Sequence, residues 1–213
     1  MSYTDQADRR QQRAFPGVAI ATVTNNEDPE ELGRVKLTYP WRDVDDESPW
    51  APVTASMAGD RAGTYFLPDI DDQVLVAFKF GDISAPVVIG SLWDDQRRPP
   101  ETNDGDNAVR SIHSRSGHKL TMDDDETAGK IRIETAGGHA IILDDDAGNE
   151  TIEITDSTAT NRIEFDPTAS SLSIESDGQL SLAAPSIDIS GSGNISIEAG
   201  GVLRLEGSLI QLN

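Results

Sequence analysis

From Gly117 to Asn213 the sequence repeats one short pattern, two apolar residues separated by a polar one and followed by a turn. The pairs are Leu120 with Met122, Ile131 with Ile133, Ile141 with Leu143, Ile152 with Ile154, Ile163 with Phe165, Leu172 with Ile174, Leu180 with Leu182, Ile187 with Ile189, Ile195 with Ile197, Leu203 with Leu205 and Ile210 with Leu212. Residues i and i+2 of a strand share a face, so the pattern predicts eleven short strands, each with one apolar and one polar side. Successive pairs start 10 or 11 residues apart as far as Ile163, and 7 to 9 residues apart from there to Ile210. A longer echo lies inside the series: Gly117-His118-Lys119-Leu120-Thr121-Met122-Asp123-Asp124-Asp125 returns 21 residues later as Gly138-His139-Ala140-Ile141-Ile142-Leu143-Asp144-Asp145-Asp146, so the longer unit holds two strands. Repeat architectures bury their apolar faces by stacking neighbours. Two apolar residues per strand are too few to close a core within one chain, so other copies of the chain are required.

The first half alternates differently. Val18-Ala19-Ile20-Ala21-Thr22-Val23, Gly33 to Tyr39, Trp50 to Ser56, Thr64 to Leu67, Gln73 to Phe80 and Pro86 to Leu92 read as strands, with turns at Asp28-Pro29, Gly59 to Gly63 and Pro68 to Asp72 between them. Five or six strands in this length predict a small antiparallel barrel. The expected organisation is a polar arm over 1–14 that includes a short helix through Asp5 to Arg13, a barrel over 15–94, a linker over 95–108 stiffened by Arg97-Arg98-Pro99-Pro100, and the repeat over 109–213.

Composition sharpens this division. Trp41, Trp50, Trp93, Tyr39, Tyr65, Phe66, Phe78 and Phe80 all precede residue 100, and Phe165 is the one aromatic of the repeat. The net charge is −21, with 10 basic and 18 acidic residues in 1–103 and 7 basic and 20 acidic in 104–213. Such a polyanion repels nucleic acid and anionic membrane surfaces, so no nucleic-acid partner is expected. Arginine outnumbers lysine 13 to 4. Outward positions that need solvating charge explain the acidity, and so does adaptation to a high-salt cytoplasm. There is no run of 18 apolar residues and the first residues are polar, so synthesis in the cytoplasm without signal peptide or membrane span is expected. Zero cysteines excludes disulfides and thiolate metal sites.

The order Gly17-Val18, Asp28-Pro29-Glu30-Glu31-Leu32-Gly33-Arg34-Val35-Lys36, Pro40-Trp41, Trp50-Ala51-Pro52-Val53, Leu67-Pro68, Asp72-Gln73-Val74-Leu75-Val76-Ala77-Phe78, Gly81-Asp82, Pro86 to Leu92 and Pro99-Pro100 closely resembles the central-spike family, which comprises phage baseplate assembly protein V and the VgrG proteins of type VI secretion and related contractile injection systems. The likeness continues through Ser116-Gly117-His118-Lys119-Leu120-Thr121-Met122-Asp123-Asp124. The resemblance implies an all-β chain, an N-terminal OB-fold barrel followed by a trimeric, intertwined β-helical needle. It implies a structural role without catalysis, with a baseplate hub protein at the barrel end, a PAAR-type tip protein at the other, and contact with a target membrane or envelope only during piercing. On this reading the paired residues from Leu120 to Leu205 are the trimer core, and Leu209, Ile210, Leu212 and Asn213 form an open end that binds the tip. A receptor-binding trimeric tail fibre and a β-helical polysaccharide-degrading enzyme are the rival readings. The lyase or hydrolase would need longer coils and a basic cluster, and the fibre a globular head.

Candidate chemistry is thin. Three histidines, His113, His118 and His139, accompany no nucleophile-elbow motif, so no catalytic residue and no cofactor is expected. Asp123-Asp124-Asp125 and Asp144-Asp145-Asp146 lack the spacing of a calcium loop and read as solvated turns. His118 and His139 each lie two residues before an inward apolar residue and share its phase. In a trimer each would form a ring of three imidazoles able to hold a transition metal or an anion, but closing an apolar stack is the commoner role, and no metal is assigned. Asp28 and Arg34 read as an exposed pair that sets loop register. Trp41, Trp50 and Trp93 read as barrel plugs or trimer contacts.

Overall fold

In Val18 to Val23 every position but Thr22 is apolar, so alternation alone cannot choose an inner face. Ala19, Ala21 and Val23 turn inward and are buried, the two alanines fitting where the sheet curves, while Val18 and Ile20 point out. The structure, a computed structural model, describes residues 17–43 and 46–211. The arm and helix expected over 1–14, and Leu212 and Asn213 of the expected tip, lie outside the described residues. The chain divides into two units, Met1–Thr102 and Asn103–Asn213. All regular structure among the described residues is β apart from one 3-10 turn, Lys79–Gly81.

The first unit contains β1 (Val18–Asn25), β2 (Arg34–Thr38), β3 (Ala51–Pro52), β4 (Ala58–Gly59), β5 (Ala62–Gly63), β6 (Gln73–Phe78) and β7 (Pro86–Leu92). Five of these form an antiparallel sheet in the order β3-β2-β1-β6-β7. The sheet curls shut where Val53 bridges Val88 and the Thr54 N–H donates to the Val88 carbonyl at 2.9 Å. Inside lie Ala19, Ala21, Val23, Val35, Leu37, Ala51, Val74, Val76 and Val88, with Tyr39 and Phe78 closing one side. Tyr39 stacks on Trp41 with ring centroids 5.0 Å apart and tilts against Phe78 at 5.8 Å. Burial pushes the Tyr39 phenol up to about 12.

Three sequence expectations change here. The strand expected over Trp50 to Ser56 is reduced to Ala51–Pro52, because Pro52 cannot donate to a ladder. The strand expected over Thr64 to Leu67 does not form: Ala58–Gly59 pairs with Ala62–Gly63 in a short hairpin, which leaves Tyr65 and Phe66 exposed. Trp41 and Trp93 lie on the surface rather than plugging the barrel, and Tyr39 takes the interior position instead.

The second unit contains β8 (Val109–His113), β9 (Lys119–Asp123), β10 (Lys130–Glu134), β11 (Ala140–Asp144), β12 (Thr151–Thr155), β13 (Asn161–Asp166) and β14 (Ser171–Ser176), paired in sequence order as an antiparallel meander. The 21-residue echo is a hairpin repeat: its two copies begin on β9 and β11, which flank β10. The turns match as well. The Ser114 N–H donates to the His118 carbonyl at 2.8 Å and the Thr135 N–H to the His139 carbonyl at 2.9 Å, with Gly117 and Gly138 at φ of 92° and 89°. Such left-handed backbone suits glycine.

The repeat differs from expectation in its last third. Six of the eleven apolar pairs lie on strands; Leu180, Leu182, Ile187, Ile189, Ile195, Ile197, Leu203, Leu205 and Ile210 do not, and Leu212 is outside the described residues. The break coincides with the change in spacing. Five-residue strands and their turns fit a 10- to 11-residue period, whereas pairs 7 or 8 residues apart leave no room for that hairpin return. Strand pairing within one chain therefore stops at β14. Leu182, Ile189 and Ile197, which the pattern places in a core, are instead open on this chain, with 68%, 70% and 63% of their surface accessible. Among the described residues no strand lies beside them, which leaves their side chains open. Leu180, Ile187, Ile195, Leu203 and Leu205 are exposed for the same reason.

Candidate functional site

The register of the meander turns the sequence pairs into two continuous rows on one face. Leu120, Ile133, Ile141, Ile154, Ile163 and Ile174 form one row, and Met122, Ile131, Leu143, Ile152, Phe165 and Leu172 the other. Ile112 on β8 extends the first row, and Arg110 occupies the equivalent place in the second. The sequence pattern did not single out Ile112 because the residue two before it is this arginine. Directly opposed side chains in an antiparallel pair touch, so the rows form one aliphatic surface. Among the described residues of this unit nothing covers it: from Met122 to Ile174 its exposed large members retain 37–57% of their accessible surface.

The opposite face is polar and better shielded. Lys130 meets Asp144 at 2.6 Å across β10 and β11, and Arg132 meets Glu134 at 3.1 Å. Arg162 holds three carboxylates, Glu164 at 3.1 Å, Glu175 at 3.1 Å and Glu153 at 3.5 Å. The Lys130 ammonium lowers the Asp144 pKa, and the Arg132 guanidinium lowers that of Glu134. This inversion, with aliphatic groups open and charged groups partly covered, is the opposite of a sheet that folds to meet water on its own.

The two candidate metal ligands do not converge within one chain. His118 and His139 are exposed and stand at equivalent places two strands apart, roughly 10 Å. The Ala136 N–H donates to His118 Nδ1 at 3.1 Å, which ties that ring to the neighbouring turn. Among the described residues, no group of three or more histidines or carboxylates is placed to hold a metal ion. The aspartate clusters are bound into their own turns. The Thr127 N–H and hydroxyl and the Ala128 N–H all donate to the Asp125 carboxylate, which lowers its pKa. Of the expected tip residues that are described, Leu209 and Ile210 are both exposed.

On the barrel, Asp28 and Arg34 do pair, but the pair is shielded rather than exposed, with 3% of the Asp28 side chain accessible. Arg34 Nε and a terminal nitrogen donate to its two oxygens at 2.8 and 2.7 Å. The backbone N–H groups of Glu30, Leu32 and Arg34 add three more bonds. The Arg34 guanidinium holds the Asp28 carboxyl well below the usual carboxylate range. An apolar groove of about 520 Å³ opens beside the β4–β5 hairpin, lined by Leu32, Met57, Tyr65 and Phe66 among others. Among the described residues, no helix is long and apolar enough to cross a membrane.

Residues 19–93 match the type VI secretion system/phage-baseplate injector OB domain. Over 147 residues the chain is 29% identical to the actin cross-linking toxin VgrG1 of Vibrio cholerae, covering 64% of this chain and 12% of that protein. It is 26% identical over 147 residues to the type VI secretion system spike protein VgrG3 of Vibrio cholerae, covering 64% and 13%. Identity to the spike protein VgrG1a of Pseudomonas aeruginosa is 24% over 130 residues, covering 55% and 20%. The matched stretch is thus at most a fifth of the length of these relatives. With an injector OB domain at residues 19–93 and this run of spike relatives, the chain is similar to the VgrG spike proteins.

Proposed function

We propose that this protein is a structural central spike of a contractile phage tail or phage-tail-like injection machine, built from three copies that wind together through their repeats. The observation that carries the reading is the open aliphatic surface of β8–β14. Contiguous apolar patches beyond a few hundred Å² mark association sites, and twelve paired side chains in two rows exceed that scale. The unpaired stretch from Leu180 to Ile210 supports the same reading. Its apolar pairs, Leu182, Ile189 and Ile197 foremost, are exposed on one chain, and their backbone groups gain partners only from other copies. Intertwined chains leave no free strand edge along a shaft and separate only by global unravelling, which gives the kinetic stability a mechanically driven needle needs.

In this account the barrel joins the needle to a hub protein, and the exposed Leu209 and Ile210 belong to the surface that meets a tip protein. The target envelope is touched only when the machine fires. No catalytic step is assigned to any residue. Electron microscopy of tail particles from cells that encode the protein, and from the same cells without it, tests the function. Loss of axial density at the baseplate and loss of delivery are expected. Particles that keep both would overturn the proposal.

A further inference from the structure

The barrel sheet carries two different outer surfaces. On β2 the outward residues are charged and paired: Arg34 with Asp28, and Lys36 with Glu47 at 2.8 Å. On β1, β6 and β7 the outward residues are Val18, Ile20, Leu75, Ala77, Val87 and Ile89. They adjoin in the register, Ile20 opposite Leu75, Val18 opposite Ala77 and Ala77 opposite Val87. A bulge between Leu75 and Val76 leaves Ile89 unpaired and turned outward. Val18, Ile20 and Ile89 keep 51%, 47% and 42% of their surface exposed. The remaining outward positions on this face, Thr22, Gln73, Gly90 and Leu92, are also uncharged, on a chain of net charge −21.

We infer that this charge-free apolar face of β1, β6 and β7 is where the barrels of neighbouring copies of the chain meet, turned toward their common axis. The inference rests on the assembly proposed above and adds the surface that the barrel contributes to it. Two features select a second copy as occupant. First, residues 1–103 carry 10 basic and 18 acidic groups, so like-charged barrels can approach closely only through a face that bears no charge. Second, the patch exposes on the order of 300 Å² of apolar surface, well short of the ~600 Å² per partner that a free-standing complex buries. A face of that size suits partners already held together, and copies joined through their repeats are present at a high effective concentration. A separate protein arriving from solution would need more area. In a ring of three, a face turned to the axis meets its own copies, so equivalent residues come close together.

The chain has no cysteine, so one introduced thiol per copy reports proximity without background. Full-length Ile20→Cys and Ile89→Cys are treated with a short bismaleimide, with Lys36→Cys on the charged part of the same sheet as control, and the native mass of each is measured first. Both apolar-face variants are half-exposed sites, so folding tolerates the change. Linkage of most chains at Ile20 or Ile89, with little at Lys36, is the expected result. An intact oligomer that links at neither apolar position, or equally at Lys36, overturns the barrel interface while leaving assembly through the repeats standing, and hands the face to a different protein. A single-chain mass overturns both.

Discussion

Asp28 shows how one side chain can set a loop. Its carboxylate accepts five hydrogen bonds, two from the Arg34 side chain and three from backbone N–H groups between Glu30 and Arg34, so the turn after β1 is wound around it. Because folding lowers the Asp28 pKa, the stabilisation is present above the unfolded carboxylate value of about 4 and is lost as pH falls toward the folded value. Asp28→Asn is therefore expected to lower the barrel's thermal midpoint by several degrees at neutral pH, with the deficit against wild type shrinking as the solution is acidified below pH about 4. Ser48 plays a comparable part next to β2. Its hydroxyl accepts from the Leu37 N–H at 3.0 Å and donates to the Pro49 carbonyl at 2.7 Å, all within the barrel wall. Ser48→Ala strands the buried Leu37 donor and is expected to cost about 1–3 kcal/mol in denaturant unfolding. Neither bond pattern was legible in the sequence. The Asp28–Arg34 pairing was, because a turn at Asp28-Pro29 brings position 34 back, but its shielding depends on how the following loop packs.

At the scale of single elements, the meander exposes its own irregularities. Gly117 and Gly138 occupy left-handed turn positions, and the third turn on the same edge puts Ala159 there at φ 56°. Ala159→Gly relieves that conformation and is expected to stabilise the unit by about 0.5–1 kcal/mol, the left-handed penalty less the entropy glycine adds to the unfolded chain. The strands of the repeat could be read from period-2 pairs as far as Ile174, since each pair falls opposite another in the register. Beyond it the pairs persist while the strands do not, because a strand needs a hydrogen-bonding neighbour as well as an apolar face, and the shorter spacing denies it one within the chain. In β1 the difficulty was the reverse: an almost wholly apolar run gave no inner face until the barrel's curvature placed Ala19 and Ala21 inside. The same illegibility hid the outward Val18 and Ile20.

For the whole molecule, the two faces of the meander make opposite demands. A charge placed in the aliphatic rows is harmless on a lone, half-exposed strand and severe once copies bury the face. Ile154→Asp is therefore expected to destabilise an assembled needle by several kcal/mol per copy and to dissociate it, while Glu153→Gln, its neighbour on the polar face, stays near neutral. Equal heat resistance of the two variants would show that the aliphatic face is not an interface. Acidity acts at this scale too, since copies of a chain of charge −21 repel one another through any surface that is not neutral or paired. The central claim is that the aliphatic face is covered by other copies, and the most direct measurement is the mass of the intact chain in native buffer at micromolar concentration, by analytical ultracentrifugation or native mass spectrometry. Three copies of the 22.9 kDa chain are expected; a folded species of 22.9 kDa would contradict the account.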